Sequence, residues 1–206
     1  MATGTAVQVN QATESFTYAD YRGWPDGERW ELIDGQAYDM CPAPARVHQD
    51  VVLELGRQVA NFLLGQPCRP YVAPFDVRLP EADEPDDAIK NVVQPDLAVI
   101  CDPRKLDDKG CRGAPDWIIE VLSPRTAAKD QRPKRDLYER HGVGEYWLVH
   151  PTDQVLFIYR LADGRYGKPD VRPALGETPV ATLPGLVIQW ASVFPQEEPR
   201  VQSPRT

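Results

Sequence analysis

The sequence is poor in the residues that build most metal and covalent centres. It has three histidines, widely separated, which argues against a zinc hydrolase site made of clustered imidazoles. Its four cysteines, Cys41, Cys68, Cys101 and Cys111, show no CxxC spacing, which argues against a zinc ribbon. Without a secretory leader a disulfide framework is not expected either, and free buried thiols are the expectation. No Gly-rich phosphate loop and no GxSxG elbow occur, removing the common nucleotide-binding and serine-hydrolase signatures. No apolar run approaches the roughly 18 residues of a membrane span, and the N-terminus lacks a basic region followed by an apolar core. The expectation is a cytoplasmic protein with no membrane partner.

What is present fits one globular domain. The 206 residues, 26% charged and 42% apolar, are enough to bury a substantial core. The 21 prolines exceed average usage and imply many loops. Residues 1–14 are polar and without pattern and 195–206 are Pro- and Gln-rich, so both are expected to be flexible tails around a folded unit at 15–194. A formal charge of −8 argues against a protein that coats nucleic acid by bulk electrostatics. The charge is segregated, however. Residues 81–90 are acidic (Glu81, Asp83, Glu84, Asp86, Asp87), whereas 125–140 are rich in Lys and Arg.

Periodicity predicts a mixed α/β fold. Thr17 to Tyr21 starts a short helix, and Trp30–Ile33 and Gln36–Met40 flank Asp34-Gly35, a two-residue hairpin signal. From His48 to about Leu64, Val51, Val52, Leu55, Val59, Phe62 and Leu63 recur at helical spacing. Strands are expected at 71–79, 95–100, 117–122, 145–149 and 154–159, with short β pieces near 180–183 and 186–190. A second helix is predicted from Asp130 as N-cap, with Pro133 in its first turn, to a stop at Gly142. The result is a mixed β-sheet with flanking helices behind an N-terminal β-hairpin.

Two acids stand out against this frame. Asp96 and Glu120 each sit in an apolar, β-branched run, in Val92 to Ile100 and Trp117 to Leu122, where an isolated carboxylate is costly to ionise. Each either caps a strand end, pairs with a cation, or joins the other around one divalent ion. On the following helix Lys134 shares a face with Leu137, Tyr138 and His141. Its ammonium either snorkels past the core edge or reaches the acids. Lys129, ahead of that helix, is a less constrained alternative. Glu31 lies between Trp30 and Leu32, where alternation predicts exposure. His48 shares a face with Val52 and Leu55, as a core-edge histidine or a substrate contact.

The ordered series Trp30-Glu31-Leu32-Ile33-Asp34-Gly35, Gln94-Pro95-Asp96-Leu97, Ile119-Glu120-Val121-Leu122-Ser123-Pro124, Lys129-Asp130, Lys134-Arg135, Tyr138 and Glu145-Tyr146-Trp147-Leu148-Val149 resembles the bacterial Uma-type putative restriction endonuclease family of the PD-(D/E)XK nuclease superfamily, over residues 15–194. The resemblance implies a restriction-endonuclease-like core and hydrolysis of a DNA phosphodiester. It assigns Asp96 and Glu120 as ligands of Mg²⁺ or Mn²⁺, with Glu31 as an added acid. Two residues after Glu120 the superfamily motif has Lys where this chain has Leu122. Lys134 is the residue whose helix face permits it to substitute.

The expectation is therefore a Mg²⁺-dependent endonuclease acting on DNA, with a homodimer as the analogous assembly. The alternative is a noncatalytic DNA-binding or oligomeric interaction module on the same fold, favoured by Leu122 and the acidic charge. A phosphodiesterase acting on RNA would use the same residues.

Overall fold

The computed structural model describes residues 15–25, 27–40, 45–123 and 130–195. The predicted tails, Cys41 and Lys129 lie outside the described residues, apart from Pro195. In chain order the elements are α1 (Tyr18–Tyr21), β1 (Trp30–Ile33), β2 (Gln36–Asp39), α2 (Arg46–Phe62), β3 (Arg69–Val72), β4 (Val77–Arg78), β5 (Val92–Val93) and β6 (Leu97–Ile100). They continue with β7 (Leu106–Asp107), β8 (Gly110–Arg112), β9 (Trp117–Val121), a π-wound turn (Asp130–Lys134) running into α3 (Arg135–His141), β10 (Glu145–His150) and β11 (Val155–Ala162). Last come β12 (Arg165–Tyr166), β13 (Asp170–Pro173), β14 (Glu177–Pro179), β15 (Val187–Gln189) and α4 (Trp190–Val193).

Among the described residues these strands form two main sheets and one hairpin. The larger sheet runs β12-β11-β10-β9-β6-β3, with β13 also on β11, and the second runs β2-β1-β5-β4-β8-β7. In the larger sheet β9 and β10 are parallel, while β6 is antiparallel to both β9 and β3. The architecture is the expected mixed α/β one.

Side-chain alternation along the central strands divides the interior in two. Leu97 and Val99 of β6, Trp117, Ile119 and Val121 of β9, and Trp147 and Val149 of β10 pack toward α2 and α4. Their intervening neighbours Ala98, Ile118, Tyr146 and Leu148 face the other way, into a core shared with Ile33, Val77 and Val93 of the second sheet and with Leu137 and Tyr138 of α3. Strands covered on both faces read as near-continuous apolar runs, as these do. Glu120 lies on the second of these faces, among side chains that otherwise avoid water.

Several expectations are corrected. The strand expected at 71–79 is two strands in two sheets, β3 and β4, because Pro74 has no N–H to continue a ladder. The second helix winds from Asp130 itself in a π-type turn with Pro133 inside it; the wider turn relieves the clash that a proline ring makes in an α-helix. The terminal β pieces lie at β14 and β15, and Trp190 starts a helical turn. The thiol expectation fails for two cysteines. The β3–β6 register pairs Arg69 with Ile100, so Cys68 and Cys101, 33 residues apart, meet across the ladder and form a disulfide. Cys111 is the buried free thiol among the described residues, and burial pushes it up to about 12.

Two glycines hold the frame by different means. Gly142 ends α3 at φ 84° in open space, whereas Gly110, at φ 123°, would place a Cβ 2.2 Å from the carbonyl oxygen of Asp76. Gly142→Ala therefore costs only backbone strain, about 1–2 kcal/mol, and Gly110→Ala costs more because the clash is with backbone. Urea midpoints at unchanged m-value measure both, and equal losses would contradict this distinction.

Candidate active site

Each candidate acid reaches the site by a different local route. Glu31 sits on β1 with Ile33 on the same side, while Leu32 between them enters a separate cluster with Tyr18, Ile89 and Val92. Both faces of β1 are thus covered, and Glu31 is buried with no measurable exposure, correcting the expectation that alternation would expose it. Asp96 lies one residue before β6. The antiparallel register Leu97–Ile119, extended by one residue, sets Asp96 opposite Glu120. Lys134, at the junction of the π turn and α3, is 1% exposed, because its helix face is the one that packs on the second core.

The site is a chain of short contacts. Lys134 Nζ lies 2.7 Å from Glu31 Oε1 and 2.8 Å from Glu120 Oε1. Tyr138 donates its hydroxyl to the same Glu120 oxygen at 3.0 Å, and the Gln94 amide donates to Glu31 Oε1 at 2.9 Å. Asp96 and Glu120 brace each other across the strands. The Val121 amide donates to Asp96 Oδ2 at 2.8 Å, and the Asp96 amide faces Glu120 Oε2 at 3.4 Å. His48, from the first turn of α2, holds Asp96 Oδ2 through Nε2 at 3.1 Å. Glu31, Asp96, Glu120, Lys134 and His48 are therefore brought together. Leu122, two residues after Glu120, is packed in the apolar core.

Among the described residues, Glu31 and Glu120 share the Lys134 ammonium, and Asp96 adds a third carboxylate, beside His48. Buried charge persists only when paired and hydrogen-bonded, and here Lys134 and Tyr138 serve Glu120 Oε1 while the other oxygen turns toward Asp96. Asp96 Oδ1 makes no hydrogen bond among the described residues, and its side chain is 19% exposed. It is the opening of the site.

That opening joins a groove of about 420 Å³. One face of α2, from Gln49 to Ala60, supplies one wall, and Pro70, Val72 and Ala73 the other; Arg29 and Asp96 complete it. Arg29 Nε and Nη2 donate to Gln94 Oε1 at 3.1 and 2.9 Å. Gln94 Nε2 donates in turn to the Tyr21 hydroxyl at 3.1 Å and to Asp76 Oδ1 at 2.9 Å. Burial, then the Asp76 charge, pushes the Tyr21 hydroxyl well above its ordinary range, so it keeps its proton and donates to Asp76. Arg29, Gln94 and Tyr138 had not been singled out as site residues. The signals were a positive charge two residues before Glu31 on the same strand face, and a glutamine leading into Pro95-Asp96.

No group of three or more His, Cys, Asp or Glu side chains among the described residues forms a ready metal cage. Two hard carboxylates beside an open groove do match the way Mg²⁺ is held, by one or two protein oxygens with water and substrate phosphate filling the rest. No helix among the described residues is long and apolar enough to cross a membrane.

The model of a family named Uma2, described as "Putative restriction endonuclease", matches residues 18–191. An uncharacterized protein of Synechocystis sp. is 29% identical over 147 residues, 70% of this chain and 73% of that protein. The crystal structure of a putative nuclease belonging to DUF820 from Anabaena variabilis superposes with a TM-score of 0.69 at 20% identity, covering 87% of this chain and 97% of that one. The two share a fold.

Replacing Lys134 by Met leaves Glu31 and Glu120 buried without their shared cation, and the expected loss of stability is about 3–5 kcal/mol. Adding Glu31→Gln removes one of the two stranded charges and recovers part of it. Chemical denaturation measures both, and a single-variant loss below about 1 kcal/mol, the scale of a surface pair, would contradict the buried triad.

Proposed function

Because the chain belongs to the Uma2 family of putative restriction endonucleases, we propose that it is a metal-dependent endonuclease that hydrolyses DNA phosphodiester bonds at the Asp96–Glu120 site. The observation that carries the reading is the convergence of Glu31 of β1, Asp96 just before β6, Glu120 of β9 and Lys134 at the start of α3, beside a groove that Asp96 opens onto. Asp96 and Glu120 would hold Mg²⁺ or Mn²⁺, which when bound supplies a Lewis acid for the phosphoryl oxygen and an activated water.

The chain's own residues have separate tasks. His48 and the Val121 amide fix the Asp96 carboxylate through Oδ2 and leave Oδ1 toward the groove. Tyr138 and Lys134 fix Glu120 through Oε1, turning Oε2 toward Asp96. Lys134 places a positive charge beside the acids, where it offsets the negative charge that grows on a phosphate under attack. Glu31 holds that ammonium from the opposite side, which makes it a positioning residue. The cation missing at Leu122 thus enters from the helix, and this weighs against the noncatalytic module.

Asp96→Asn keeps the volume and lets the amide oxygen take the place of Oδ2 while removing the charge, and Glu120→Gln removes the second charge at nearly the same volume, with its amide nitrogen replacing one acceptor oxygen. Cleavage of plasmid DNA in Mg²⁺ is expected to fall at least about 100-fold in each, the scale of losing one electrostatic group of a preorganised site, and to vanish in EDTA. Equal nicking by wild type and Asp96→Asn would remove the assignment. DNA binding without cleavage by the wild type would favour the noncatalytic module.

A further inference from the structure

In a chain of net charge −8, arginines are mostly held by acids. Arg57, in the groove wall, is paired with Glu54 at 2.6 Å, a bond that holds the Glu54 carboxyl down to about 2. Arg46 pairs with Asp50. Arg140, in the basic segment after Glu120, pairs with Asp34 and Glu81. Arg29 differs from all of these. It lines the groove, yet it has no carboxylate partner among the described residues. Its contact is the neutral Gln94 amide oxygen, which receives both Nε and Nη2.

That contact orients the guanidinium without cancelling its charge. Gln94 is itself clamped by Tyr21 and Asp76, so the plane of Arg29 is preset, and Nη1 makes no hydrogen bond among the described residues. A guanidinium's fork of donors suits a phosphate, and preorganisation lowers the entropy lost on binding it. Placement agrees. The Met40 amide donates to the Arg29 carbonyl at 2.8 Å, extending the hairpin ladder, so Arg29 and Glu31, two residues apart, project to one face. Arg29 and Asp96 then bound the same groove, whose intervening surface is apolar Val52, Leu53 and Val72.

We propose that Arg29 is a phosphate-binding residue that takes a non-scissile backbone phosphate of the nucleic-acid strand lying between α2 and β3, with Gln94 as its positioning residue. This rests on the nuclease reading. The apolar lining meets sugar and base, and Arg29 sets the register in which the strand reaches Asp96 and Glu120.

The test is fluorescence anisotropy of a labelled DNA oligonucleotide in EDTA, which stops cleavage, over a series of salt concentrations. Arg29→Met is expected to weaken binding about tenfold and to reduce the slope of log K against log salt by about 0.7–0.9, the value of one phosphate contact. Arg165→Met, an exposed site on β12 at the edge of the larger sheet opposite β3, removes the same charge and is expected to leave the slope unchanged. Arg29→Lys keeps the charge but not the fork, and is expected to keep the slope with a smaller loss of affinity; it also serves if the Met variant does not fold. Wild-type affinity and slope in Arg29→Met, or an equal change in Arg165→Met, would overturn the proposal while cleavage by the wild type leaves the nuclease reading standing. A wild type that binds neither DNA nor RNA would overturn both.

Discussion

The ion triad of Glu31, Lys134 and Glu120 is the interaction on which the rest of the structure depends. It joins three elements that also share a large apolar core: β1 of one sheet, β9 of the other, and the start of α3. Apolar contacts are non-directional and would accept small slips of the helix over the sheets. The short contacts to one ammonium would not. Breaking a buried group of this kind strands charge in a core, so the triad sets register more than it adds net stability.

The same arrangement determines what Asp96 can do. Glu120 is held from behind by Lys134 and Tyr138, and its remaining oxygen turns toward the one acid of the group that reaches the groove. Among the described residues Glu31 and Glu120 are buried, and Asp96 is the acid of the group that lines the groove. Across that groove stands Arg29, a cation steadied by an amide and not by an acid. The groove thus offers a cation-seeking end and a phosphate-seeking end, although the chain as a whole is acidic.

Much of this was legible in the sequence, for identifiable reasons. Apolar runs around Asp96 and Glu120 made central strands the natural reading, and those strands are covered on both faces. The spacing of Lys134, Leu137 and Tyr138 put the lysine on the packed face of its helix. Asp34-Gly35 marked a hairpin that forms with the expected register. What could not be read was long-range. The exposure expected of Glu31 assumed one covered face, whereas the core shared with the larger sheet and α3 covers the Glu31 and Ile33 side of β1, and Tyr18 and Ile89 cover the Leu32 side. The Cys68–Cys101 bond depends on the β3–β6 register across 33 residues. The division of residues 71–79 between two sheets is a tertiary choice that local propensity does not encode. Arg29 was missed because a lone arginine has no pattern; what distinguishes it is its place in the groove, held by a neutral amide.

Metal binding is the central claim and can be measured apart from catalysis. Titration calorimetry with Mn²⁺ should show one site per chain in the wild type, retained in Arg29→Met and lost in Asp96→Asn, with all three proteins sharing the same circular dichroism spectrum. No heat of binding in the folded wild type, or equal binding in Asp96→Asn, would contradict the account.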